Sequence, residues 1–191
     1  MRLSSLLKTM VIPAFALFWG AQAGAAGAPT DRGPAIGERI AFVEAMQAQD
    51  GKRHDLANLH GANGTAIVFN RSLAWCPFCK KQTEDLIANA ALLTDAGYNI
   101  AVVTYDAPDV LAAYAAEQKA SFPLLSDTGS ATIKALGLLN ETYEPGSFAY
   151  GIPHPMIIVV GPDNTVKAKF AEEGYKVRPA LQDVVKTLSM Q

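Results

Sequence analysis

The stretch Trp75-Cys76-Pro77-Phe78-Cys79 decides how the rest of this chain is read. It holds both cysteines of the protein, three positions apart, where the apolar run Ala66 to Phe69 gives way to a helical pattern. A helix starting at Cys76 sets the first sulfur beside free backbone N–H groups and the positive end of the helix dipole, which favours thiolate over thiol. Lys80 and Lys81 add two positive charges within the next turn. The second sulfur follows one turn on, close enough to close a small disulfide ring. A stabilised attacking thiolate and a resolving partner are what thiol–disulfide exchange requires.

Other uses of two cysteines fit less well. A structural zinc site needs four ligands, and only His54, His60 and His154 remain, in no paired spacing. Covalent haem attachment needs histidine directly after the second cysteine, where Lys80 stands instead. A static disulfide closing so small a ring constrains the unfolded chain very little. Delivery of soft Cu(I) calls for clustered sulfur or imidazole, whereas Met156 and His154 are isolated. The sequence therefore calls for redox chemistry at Cys76 and Cys79, with no metal and no cofactor.

Half of the 191 residues are hydrophobic and 18% are charged, the balance of one globular domain with a sizeable core. Residues 1–28 stand apart. Arg2 and Lys8 precede the apolar run Met10 to Trp19, small residues follow at Ala21-Gln22-Ala23 and Ala23-Gly24-Ala25, and no acidic residue intervenes. That is the layout of a cleaved secretory signal, with an apolar run too short for a comfortable membrane span. Its removal leaves 14 basic against 18 acidic residues, a net charge of −4. No basic residues cluster, which argues against nucleic acid as a partner, and no membrane association is expected once the signal is gone. In an oxidising compartment, two cysteines in one motif suit a redox site better than a disulfide scaffold. The expected location is the bacterial periplasm.

Residues 29–38, rich in proline, glycine and charge, read as a flexible lead-in to a domain over 39–191. Ile40–Gln47 and Arg53–Leu59 flank Asp50-Gly51, a turn signal that predicts an N-terminal β-hairpin. Thr65–Asn70 reads as a buried strand. Leu86, Ile87, Ala90 and Leu93 mark the apolar face of one helix running from the cysteines to a stop at Gly97. Ile100–Tyr105 is a central strand, followed by a helix from Pro108. A short strand at Phe122–Leu125 and a short helix over 130–136 come next, and 138–152 lacks periodicity. Met156–Val160 and Val166–Phe170 form a hairpin around the turn residues Gly161 to Thr165. A last helix spans Val177–Leu188, with Pro179 in its first turn. Strands alternating with helices, closed by an antiparallel hairpin, predict an α/β fold: a central mixed sheet with helices on both faces.

A strand, then Trp-Cys-x-x-Cys opening a helix, then a late proline before a hairpin, resembles the thioredoxin fold. Phe69-Asn-Arg-Ser-Leu-Ala-Trp-Cys-Pro-Phe-Cys-Lys-Lys-Gln, Thr104-Tyr-Asp, Phe122-Pro-Leu-Leu-Ser-Asp and Gly151-Ile-Pro-His-Pro together resemble the AhpC/TSA redoxins, the peroxiredoxin-like branch, over residues 36–190. The resemblance implies that Cys76 is an exposed nucleophile and Cys79 the resolving thiol. It also implies a cis-proline facing the disulfide, best matched by Pro155, with Pro153 the competitor. Protein or small-molecule disulfides and thiols, a redox partner protein and, in the alternative reading, hydroperoxides are the implied partners.

One departure bears on activity. Peroxiredoxins carry proline and a threonine or serine seven and three residues before the peroxidatic cysteine; here those positions are Phe69 and Leu73. Ser72 could substitute only in a reshaped loop. Arg71 could bias the thiolate or bind an oxyanion, beside the default of a surface arginine. Pro77 and Phe78, between the cysteines, resemble the glutaredoxin pattern and tune the redox potential. Trp75 is expected to pack beside the disulfide. Asp106 lies near the site by topology, with capping of the following helix as its simpler role.

Overall fold

The Asp50-Gly51 turn joins two short strands, β1 (Met46–Ala48) and β2 (Arg53–His54), in the computed structural model, which describes residues 32–190. The hairpin is shorter than expected. Leu56–Asn58 leaves the strand for one 3-10 turn, because Leu56 and Leu59 are both buried and a spacing of three suits that turn. The expected signal segment, 1–28, and residues 29–31 of the expected lead-in lie outside the described residues. The described part of the lead-in is tethered rather than free: Gly37 donates to the Val166 carbonyl, and Val166 donates to that of Glu38.

The buried run Gly64–Phe69 is β3, followed by α1 (Pro77–Ala88), α2 (Ala91–Thr94) and β4 (Tyr98–Thr104). The single helix expected up to Gly97 is thus two. Asn89 breaks it by leaving helical geometry (φ −120°, ψ 20°) and turning its side-chain amide back onto the Asp85 carbonyl at 3.1 Å. Next come α3 (Pro108–Gln118), β5 (Leu124–Ser126), α4 (Ala131–Ala135), and the hairpin β6 (Met156–Val160) and β7 (Val166–Phe170). The last helix, α5 (Leu181–Leu188), starts four residues later than expected, leaving Pro179 outside it. Proline disfavours helical backbone in the residue before it, and Arg178 sits there.

The seven strands form one mixed sheet ordered β2-β1-β5-β4-β3-β6-β7. Strand β3 runs parallel to β4 and antiparallel to β6, with Phe69 opposite both Val103 and Met156. Period-two alternation divides the core. Ala66, Val68, Val102, Ile157 and Val159 pack under Leu86, Leu93, Leu111 and Val184 of α1, α2, α3 and α5. Ile67, Phe69, Val103 and Ile158 face the other way, against Ile133 of α4 and the N-terminal residues Ile40, Phe42 and Leu56. With helices on both faces, β3 is wholly buried and β4 is buried from Ile100 on, and the loop leaving β3 emerges beside the C-terminal end of the parallel β4. That loop carries the cysteines.

Candidate active site

Cys76 caps α1. Its backbone is extended (φ −91°, ψ 105°) and its sulfur accepts the Cys79 N–H at 3.3 Å, one of the free donors at a helix start. Pro77, which lacks an N–H and has φ already set for a helix, occupies the first helical position. Cys76 and Cys79 are joined as a disulfide with Cα atoms 5.3 Å apart. The geometry at the helix start is the one the sequence implies. The exposure is not: Cys76 is only 1% accessible and Cys79 is fully buried.

Trp75 and Phe78 pack against the cluster that holds both cysteines, and each is tied to rings from other segments. Trp75 meets Phe148 edge-on, with ring centroids 5.3 Å apart, and its indole N–H donates to the Tyr105 hydroxyl at 3.1 Å. The Tyr105 hydroxyl in turn donates to the Phe148 carbonyl. Phe78 meets Tyr175 in the same edge-on manner at 5.8 Å. Arg71 lies under this cover. It is 4% exposed, its guanidinium sits 4.1 Å from the Tyr175 ring centre and 5.1 Å from that of Trp75, and it donates to the Tyr143 hydroxyl at 2.9 Å. The surface default for Arg71 is therefore corrected: cation–π contacts with rings from the loop after α4 and the segment after β7 draw it inward. Its Nε has no hydrogen-bond partner.

The loop between β3 and α1 is fixed by Asp106, at the end of β4. Its carboxylate accepts from the Ser72 hydroxyl at 2.7 Å, the Leu73 N–H at 2.6 Å and the Thr104 hydroxyl at 3.0 Å. The Ser72 oxygen also accepts the N–H groups of Ala74 and Trp75. Two expectations change. Asp106 does not cap α3, whose cap position is Ala107. Ser72 does not present a free hydroxyl to the cysteines, because its oxygen is occupied in holding the loop; Leu73, at the position of the missing threonine, is buried.

The expected cis-proline is also corrected. No peptide bond among the described residues is cis. The chain before β6 is held extended against residues 138–140: His154 donates to the Leu138 carbonyl, Asn140 donates to that of Ile152, and Leu139 bridges Pro153. Pro155 lines a groove of about 360 Å³ with His154, Met156 and Tyr175, so Tyr175 alone links it to the Arg71 cluster. His154 pairs with Glu141 at 2.9 Å and holds that carboxylate down at about 2.

Sequence reasoning missed Arg178. It lies 99 positions from Cys79, on the segment between β7 and α5, yet its Nη2 donates to the Cys79 sulfur at 3.4 Å. Its Nε donates to Gln82 Oε1 at 3.0 Å, and Nη1 donates to the carbonyls of Val177 and Tyr175. Burial, and then the charge of Arg71, lower its pKa to about 10. Nothing in the local sequence marks it; only the return of the chain after β7 brings it there. Among the described residues, no group of three His, Cys, Asp or Glu side chains is arranged to hold a metal ion, and no helix is long and apolar enough to cross a membrane.

A mixed sheet with a disulfide at the head of the helix after its central strand defines a thioredoxin-fold redox protein. The sequence pattern of the AhpC/TSA family matches residues 36–169, and the chain belongs to that family, an oxidoreductase acting on thiol groups. A relative in Mycobacterium tuberculosis, provisionally named a peroxiredoxin, is 29% identical over 142 residues, 74% of this chain and 84% of that protein. The bacterioferritin comigratory protein of Xanthomonas campestris, studied for alkyl peroxide reduction, has the same fold at a TM-score of 0.66 and 22% identity, over 82% of this chain and 98% of its own. Peroxiredoxin 6 of Arenicola marina matches at 0.72 and 13% identity, over 82% and 73%. At such identities the two solved structures speak for the fold alone.

Proposed function

We propose that the chain is an exported thiol–disulfide oxidoreductase. In the reducing direction, the Cys76 thiolate attacks a substrate disulfide and expels one substrate thiolate; Cys79 then attacks the mixed disulfide, closes the internal bond and expels the second. The oxidising direction runs the same steps backwards. The observation that carries this reading is the Cys76–Cys79 disulfide in a loop with no hydroxyl for peroxide: Leu73 replaces the usual threonine, and Ser72 is bound to Asp106. Around the sulfurs, the partly exposed Trp75, Pro77 and Phe78 supply an apolar surface suited to a substrate chain, and the buried Arg71 lies beneath the Trp75 ring.

The family and the names of its relatives favour a second reading, a thiol peroxidase. There the Cys76 thiolate takes one oxygen from a hydroperoxide, releasing the alcohol or water. The resulting sulfenic acid condenses with Cys79, releasing water, and an external dithiol restores both thiols. In either case a redox partner protein exchanges electrons with the disulfide. Export rests on residues 1–28 and the periplasm on their signal layout; the mass of the protein recovered from the periplasmic fraction tests both. Replacing Cys79 with serine tests the exchange step. The oxidoreductase accumulates a Cys76 mixed disulfide with its substrate, and a variant that traps none under oxidising conditions contradicts it.

A further inference from the structure

The oxidised site holds two guanidiniums, the buried Arg71 and the partly buried Arg178, and neither forms an ion pair with a carboxylate among the described residues. Arg32–Glu141, Lys52–Asp50, Arg53–Glu44 and His154–Glu141 pair elsewhere and involve neither arginine. Partial burial makes a guanidinium without an ion-pair partner costly, and an anion formed beside it offsets that cost. Arg178 is held in one orientation. Gln82 and the carbonyls of Val177 and Tyr175 take its other donors, which leaves Nη2 directed at the Cys79 sulfur. Arg71 and Arg178 share Tyr175, whose ring faces Arg71 and whose carbonyl accepts from Arg178 Nη1.

We propose that Arg178 is the electrostatic partner of the Cys79 thiolate, the leaving group when the disulfide opens. An incoming thiolate attacks the Cys76 sulfur and forms a mixed disulfide. The Cys76–Cys79 bond breaks, and its electron pair goes to the Cys79 sulfur, which becomes a thiolate facing Nη2. No proton moves, and the negative charge passes from the incoming sulfur to Cys79. Without Arg178 that charge would appear on a fully buried sulfur, where desolvation raises a thiol pKa. A lower leaving-group pKa speeds the step. Cys76 draws on the helix start and Cys79 on Arg178, so each sulfur has its own source of positive charge. The inference rests on the thiol–disulfide reading for its rate and not for its thiolate.

Two measurements on the chain without residues 1–28 test it. In a Cys76→Ser background reduced with a phosphine, absorbance near 240 nm at neutral pH reports the Cys79 thiolate with no exchange partner involved. Arg178→Gln should remove most of that absorbance, and Arg178→Lys should restore part of it, with circular dichroism confirming that each variant is folded. In the chain with both cysteines, Arg178→Gln should slow reduction of the disulfide by dithiothreitol about tenfold or more, as expected when a leaving thiolate loses its partner. Equal thiolate absorbance with and without Arg178→Gln overturns the proposal. If the parent chain is not reduced by dithiothreitol at all, the proposed function fails, while the absorbance still decides the role of Arg178.

Discussion

Two residues show how the site is held and how it answers to its surroundings. Asp106 accepts three hydrogen bonds within the protein, so Asp106→Ala leaves the Ser72 and Thr104 hydroxyls and the Leu73 N–H buried without an acceptor. Losing hydrogen bonds to a charged acceptor in a buried site should cost about 2–4 kcal/mol, read from urea unfolding curves. Tyr114 donates to the Lys80 carbonyl, and its phenol is pushed up to about 12, first by burial and then by Glu84 and Glu117. The neutral phenol therefore favours the folded state. Its contribution is complete below the ordinary tyrosine pKa of 10.0 and is lost as pH rises from there through about 12. The stability gap between the parent chain and Tyr114→Phe should accordingly shrink between those values, and a constant gap would contradict the assignment. At this scale the sequence displayed the two cysteines and the helix start. It did not display Arg178 or the burial of Arg71, because both depend on rings and carbonyls contributed by distant segments.

Among the elements, β3 and the segment after β7 do the most to shape the site. Gly64 opens β3 with φ +122°, and a Cβ there would fall 1.8 Å from the Val160 carbonyl oxygen on β6. The obstacle is backbone, so Gly64→Ala should spread β3 from β6 and lower the melting temperature by several degrees, as a change of roughly 1–2 kcal/mol does in a domain of this size. The segment between β7 and α5 places Tyr175 over Arg71 and Phe78 and carries Arg178. If that cover restricts access, Tyr175→Ala should raise the rate at which reduced Cys76 is alkylated, followed by mass spectrometry; an unchanged rate would show that substrates enter elsewhere. The hairpin of β6 and β7 was legible to the residue, since apolar runs around Gly161-Pro-Asp-Asn-Thr admit few alternatives. The division of α1 from α2 and the late start of α5 were not. The first turns on an Asn89 side chain folding back on its own helix, and the second on the conformation before Pro179.

For the whole molecule, periodicity and the Cys-x-x-Cys motif sufficed for an α/β sheet with its redox site at the head of α1. They could not separate disulfide exchange from peroxide reduction, because that choice depends on which hydroxyls and cations face the sulfurs, and those come from residues far apart in the sequence. Core packing should behave as one unit. Phe69 is fully buried between β4 and β6, and Phe69→Ala should cost about 3–5 kcal/mol in the urea midpoint analysis. The central claim is that Cys76 and Cys79 exchange with disulfides and lack a site for activating peroxide. Its most direct test is stopped-flow oxidation of the reduced chain without residues 1–28, followed by fluorescence of Trp75, the one tryptophan beyond residue 28. Hydrogen peroxide and a disulfide peptide are compared under the same conditions. The account predicts fast, reversible exchange with the peptide beside a peroxide reaction no faster than that of a free thiolate. Peroxide oxidation far above that rate, with slow peptide exchange, would contradict it and make the chain a thiol peroxidase.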